Sequence, residues 1–191
     1  EDDSGFDVYL LGPYKKTLER VLSSTAMTHL DALNLGLDLS SALSICRDSG
    51  YLYVDLKPSN IYRERHTNNG FKIGDIGVMR LDALKYTSLP ERYRSAYTAP
   101  EIQDAFSAIN TTVDIYALGL ILYQVYNGGQ LPAGDSDTIQ PPDYADYEMA
   151  EIILKACDPD PAKRWADTIQ MGQALVSYMQ RNSVNDTPII P

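Results

Sequence analysis

The chain has 191 residues, 44% of them hydrophobic, and its 26 acidic against 16 basic side chains give a formal net charge of -10 at pH 7. That length and apolar content suffice for one domain with a substantial core, while the acid excess argues against a surface built for a nucleic-acid backbone. Cys46 and Cys157 fall in apolar helical runs, where a free thiol acts as a small hydrophobe and a reducing compartment fits, and His29 and His66 have no metal-ligand spacing.

In chain order, Asp7-Val8-Tyr9-Leu10-Leu11 reads as an apolar strand running into Gly12-Pro13-Tyr14. Thr17 to Ser23 is expected to form a short helix. Thr28-His29-Leu30-Asp31 has the pattern of a capping box. It opens a long helix to about Asp48, whose Leu30, Leu33, Leu37 and Leu35, Leu39, Leu43, Cys46 rows make a broad apolar face before Ser49-Gly50 ends it. Asn60-Ile61-Tyr62-Arg63 and Phe71-Lys72-Ile73-Gly74, with Asn68-Asn69-Gly70 as the turn, predict a hairpin that brings Asn60 close to Asp75.

From Asp75 to Glu101 the chain is polar, rich in tyrosine and broken by Pro90, as suits a segment held by its ends. The most apolar run, Val113 to Tyr126, is too short to span a membrane and contains Asp114, so it is read as a buried helix. Thr111-Thr112-Val113-Asp114 is expected to cap it and Gly128-Gly129 to end it. A connection rich in Pro, Gly and Asp fills Gly129 to Tyr144. Tyr147 to Cys157 and Asp167 to Met179 are read as the last two helices, the second capped by Asp167 with Gln170. Arg181 to Pro191 has the polarity and prolines of a frayed tail.

The chemistry concentrates in Tyr53-Val54-Asp55-Leu56-Lys57-Pro58-Ser59-Asn60 and in Asp75-Ile76-Gly77. A phosphoryl-transfer site must orient a hydroxyl, hold Mg²⁺ on phosphates and place positive charge where negative charge develops. Asp55 suits the proton acceptor, Lys57 the phosphate contact, and Asn60 and Asp75 supply oxygen ligands for hard Mg²⁺. A lone aspartate is more often a turn or cap residue, but the joint spacing outweighs that reading.

Here the chain resembles the C-terminal lobe of a eukaryotic-type Ser/Thr protein kinase. Tyr53 to Asn60 matches the catalytic loop H-R-D-L-K-P-x-N, and Gly74-Asp75-Ile76-Gly77 matches the D-F-G motif. Ala99-Pro100-Glu101 reproduces A-P-E, Asp114 to Gly119 looks like D-x-W-S-x-G, and Asp158 to Trp165 is similar to D-P-x-x-R-x. The resemblance implies a mainly α fold, a helical bundle with a small β-hairpin carrying the catalytic and magnesium loops. It divides the chain into 1–14 (last strand of the N-lobe and hinge, with Gly12 and Tyr14 against the nucleotide), 15–180 (C-lobe) and 181–191 (flexible tail). It also implies ATP and Mg²⁺ as cofactors, a protein substrate, Ser/Thr preference through Lys57, a structural Glu101–Arg164 ion pair and a structural Asp114.

The sequence has no G-x-G-x-x-G and no V-A-x-K, so the expectation is a piece of a larger kinase, inactive alone, with a missing N-lobe packing on the hinge side. Val8, Leu10 and Leu11 would then be uncovered and could drive self-association. A cytoplasmic location is expected, free or as the cytosolic part of a membrane-anchored protein. Several residues depart from the family pattern. Val54 stands for the arginine that meets an activation-loop phosphate, Tyr53 for histidine and Ile76 for phenylalanine. Arg94 stands where a threonine is usual, with Ser95 one residue off, and Tyr86, Thr87 and Ser88 are generic phosphosite candidates. Two other readings stay open: a pseudokinase scaffold, and a small-molecule kinase of the same fold, which would usually lack Lys57-Pro58 and A-P-E. In the family a helix that docks partners occupies the place of Gly129 to Tyr144, and here it looks shortened or missing.

Overall fold

A computed structural model describes residues 16–24, 26–63, 70–74, 79–80, 91, 94–103, 109–133 and 138–190. Gly12, Tyr14, Asp75, Ile76, Tyr86, Thr87 and Ser88 lie outside the described residues, as do Val8, Leu10 and Leu11.

Five α-helices make up nearly half of the described residues: α1 (Leu18–Ser24), α2 (His29–Asp48), α3 (Thr112–Tyr126), α4 (Tyr147–Ala156) and α5 (Thr168–Arg181). Five short strands accompany them: β1 (Lys16–Thr17), β2 (Tyr51–Leu52), β3 (Ile61–Arg63), β4 (Phe71–Ile73) and β5 (Met79–Arg80). The fold is thus mainly α, as expected, with its β structure gathered around one loop.

α2 begins where the capping box predicts. The Thr28 hydroxyl accepts the Asp31 N–H at 3.1 Å and the Asp31 carboxylate accepts the Thr28 N–H at 3.4 Å, so two helix-end donors are satisfied. It ends at Gly50, whose φ of +82° is a turn that a side chain would strain. Leu33, Leu35, Leu39 and Leu43 are buried, whereas Leu30 is 36% exposed and Cys46 half-buried, so the apolar face is narrower than the sequence suggests.

α3 is apolar on nearly all sides and is the buried axis of the bundle. Its cap differs from expectation: Thr111 makes no side-chain cap, and Asn110 instead accepts the Thr112 N–H at 2.8 Å through Oδ1. α4 crosses α3 closely because position 119 is glycine; a Cβ there would lie 2.7 Å from Ala156 Cβ and 2.8 Å from Cys157 Sγ. α5 starts at Asp167, which accepts the Gln170 N–H at 2.8 Å. Each fully buried Leu or Ile in this bundle contributes roughly 1.5–3 kcal/mol relative to exposure.

The chain after α5 does not fray. The Ile189 N–H donates to Met27 O at 2.9 Å, the His29 N–H donates to Thr187 O at 3.2 Å, and Thr28 bridges to Pro188. The Ile189 side chain is buried in the main core. Residues 182–190 therefore strap the start of α2, because Ile189 recovers apolar burial that a polar, proline-bearing composition conceals.

β3 pairs antiparallel with β4 and with β1, in the order β1-β3-β4, and β2 pairs antiparallel with β5. The β3–β4 register, Ile61 with Ile73 and Arg63 with Phe71, is the hairpin expected from the sequence.

Candidate active site

The loop between β2 and β3 carries the chemistry. It leaves Leu52, turns through Tyr53, Val54 and Asp55, and closes in one turn of 3-10 helix, Pro58–Asn60, where proline at the first position supplies a preset φ. The Asp55 N–H bonds back to Tyr53 O at 2.8 Å, and Val54 between them has φ +56°.

Such a turn needs an external support, and Asp114 provides it. From the first turn of α3 its carboxylate accepts the Tyr53 N–H through Oδ2 and the Val54 N–H through Oδ1, both at 3.0 Å. Asp114 is fully buried, and burial pushes its carboxyl pKa up to about 6 although the two backbone amides act to lower it. An Asp in the chain's most apolar run was the sequence signal for this anchor. Its two amide partners, 61 and 60 positions away, were not legible there.

Asp55, Lys57 and Asn60 come together, as the loop spacing predicts. The Asn60 Nδ2 donates to Asp55 O and to Asp55 Oδ2, both at 2.9 Å. The Lys57 ammonium stands 2.9 Å from Asp55 Oδ1. It approaches off the hydrogen-bonding direction, so Oδ1 is ion-paired but accepts no hydrogen bond among the described residues. Both hydrogens of the Asn60 amide are committed to Asp55, and its Oδ1, which accepts no hydrogen bond among the described residues, is a neutral hard oxygen of the kind Mg²⁺ takes.

The hairpin carries the register onward. The Gly74 N–H donates to Asn60 O at 2.8 Å, and the buried Tyr53 hydroxyl donates to Gly74 O. Tyr53 thus ties the catalytic loop to the residue before Asp75. Ser95 accepts the Tyr97 N–H at 3.3 Å through its hydroxyl, within its own turn, and Arg94 is exposed.

Glu101 and Arg164 form a buried pair, Nη1 to Oε1 at 2.7 Å and Nη2 to Oε2 at 2.8 Å. The same guanidinium donates from Nε to Asp158 O at 2.7 Å, from Nη1 to Thr112 O at 3.0 Å and from Nη2 to Pro159 O at 3.3 Å. All five donors are used, and the plane stacks 4.7 Å from the Tyr116 ring centre.

Compared with known proteins, residues 6–185 match the sequence model of the protein kinase domain. Serine/threonine-protein kinase RUNKEL of Arabidopsis thaliana is 32% identical over 148 residues, 70% of this chain and 11% of that protein. The probable CTD kinase subunit alpha homolog of Encephalitozoon cuniculi is 27% identical over 81% of this chain and 44% of its own length. Serine/threonine-protein kinase PknB of Mycolicibacterium smegmatis is 27% identical over 76% of this chain and 26% of its own length. The chain spans less than half the length of these curated relatives. A loop anchored through Asp114 and a family match over nearly its whole length lead to one conclusion: the chain belongs to the eukaryotic-type protein kinase family.

Proposed function

We propose that the intact parent of this chain transfers the γ-phosphoryl group of ATP to a Ser or Thr hydroxyl of a protein substrate. The observation that carries this reading is the Asp55, Lys57 and Asn60 arrangement, in which one carboxylate faces an ammonium and an amide at 2.9 Å each. Asp55 orients the substrate hydroxyl and takes its proton. The hydroxyl oxygen forms the new bond to phosphorus, the bond to the ADP oxygen breaks, and ADP leaves. Lys57 covers Asp55 Oδ1 in this arrangement, so it swings toward the phosphoryl group as the hydroxyl comes in. Asn60 and Asp75 would hold Mg²⁺, which when bound would neutralise charge on the phosphates.

Ser/Thr preference rests on the loop lysine and on relatives of modest identity named as Ser/Thr kinases. The sequence supplies no phosphate-covering loop, so the 191 residues alone are inactive and transfer needs an N-lobe packed on the hinge side. The protein acts in the cytosol, free or as the cytosolic part of a membrane-anchored protein. Labelled phosphate transfer from Mg-ATP to a generic basic protein, with the parent beside its Asp55→Asn and Asp75→Asn variants, tests the assignment. Transfer lost in both variants supports it, and transfer kept in either overturns that residue's role.

A scaffold without turnover is the second reading. It draws on Ser95, whose hydroxyl is engaged in its own turn, and on Arg94, exposed where the family places a threonine. No transfer from a folded parent that carries the glycine-rich loop and its lysine favours it.

A further inference from the structure

Val54 is the only residue other than glycine with positive φ among the described residues. A β-branched side chain is strained in that region and persists only where its surroundings hold it. Two supports act on Val54. Asp114 holds its N–H, and its side chain, 8% exposed, lies in an apolar cluster with Leu52, Ala99, Ile102 and Val113.

This cluster is separate from the main core and gathers three parts of the chain: the catalytic loop, the 3-10 turn Pro100–Gln103 that carries Glu101, and the first turn of α3. Arg164 fixes Glu101 from the other side. Asp55 is the next residue after Val54 and its N–H closes onto Tyr53 O, so a shift of the Val54 side chain turns the peptide that carries the carboxylate.

We propose that Val54 is a positioning residue for phosphoryl transfer, coupling the orientation of Asp55 to the seating of residues 99–102 through apolar packing alone. No group in the cluster is charged, so the coupling operates without an added phosphate. The proposal rests on the assignment of Asp55 as proton acceptor.

The test is steady-state kinetics of the full-length parent with Val54→Ala, Ile102→Ala, the double variant and the conservative Val54→Ile. Expected are a fall in kcat of about tenfold for each alanine variant, an unchanged KM for ATP, no further loss in the double variant, and retained kcat in Val54→Ile. A lowered melting temperature with kcat per folded molecule unchanged, or losses that multiply in the double variant, overturns the proposal. Where Val54→Ala folds poorly, Ile102→Val removes one methylene from the same cluster, costs less stability and should lower kcat in the same sense by a smaller factor. Absence of transfer in the unaltered parent would sink the functional reading instead. Hydrogen exchange then decides: Val54→Ala should speed the amides of residues 53–55 and of Ala99, Glu101 and Ile102 together, and acceleration in only one of the two segments refutes the coupling.

Discussion

Asp114 and Val54 stand 60 positions apart in the chain and 3.0 Å apart across a hydrogen bond. With the Tyr53 N–H on its second oxygen, the carboxylate is a double acceptor with no donor to offer. Asp114→Asn keeps one acceptor and turns an NH₂ toward an N–H. A buried amide left unpaired costs about 1–3 kcal/mol, so urea unfolding should show a loss of that size, and phosphate transfer by the parent should fall with it.

The same carboxyl gives a pH signature. Its folded pKa is raised from 3.8 to about 6, so the folded chain takes up a proton as pH falls through 6 while the unfolded chain waits until about 3.8. The Asp114 contribution to stability is therefore least favourable above pH 6 and rises as pH falls from 6 toward 3.8. Protonation removes one acceptor from the loop at the same time, so activity should decline through pH 6. Unfolding free energies of the unaltered chain and Asp114→Asn, measured between pH 4 and 7, should diverge in that sense, and parallel curves would contradict it.

Gly119→Ala forces a methyl to within 2.7–2.8 Å of Ala156 and Cys157 at the α3–α4 crossing. Overpacking of that kind costs typically 1–3 kcal/mol, seen as a lower melting temperature. Gly50→Ala meets no neighbour within 4 Å, and its loss comes from the backbone at φ +82° alone. The comparison separates steric from conformational cost.

Truncation after Arg181 should destabilise the chain. Removal of Ile189 and of the two backbone bonds near Met27 and His29 uncovers the start of α2, and loss of one buried Ile is worth about 2–5 kcal/mol. Unfolding curves that coincide with those of the full chain would show that the strap carries no load.

α2 and α5 were legible because each shows its period and its cap, Thr28 with Asp31 for α2 and Asp167 with Gln170 for α5, and α3 was legible from its apolar run. The hairpin was legible because Asn68-Asn69-Gly70 separates two short apolar runs. The strap was not, since a single Ile among polar residues and prolines carries no period. Nor was Asn110 as the cap of α3, because three hydroxyl or acidic neighbours offered themselves as well. At the site, the loop spacing placed Asp55, Lys57 and Asn60 together. It could not show that Val54 adopts positive φ, since that depends on contacts from α3 and from residues 99–102, nor that Lys57 sits on Asp55, since spacing alone does not fix two flexible side chains.

Arg164 uses every donor it has, and they reach three separate stretches of chain, at Glu101, at Thr112 and at Asp158-Pro159. A lysine at 164 has three donors on one atom and no fork, so it cannot span them. The guanidinium couples the opening of these stretches, because releasing any one leaves buried donors unpaired. Loosening of the turn around Glu101 therefore breaks a buried ion pair and frees a donor from the first turn of α3, so the two open together more readily than apart.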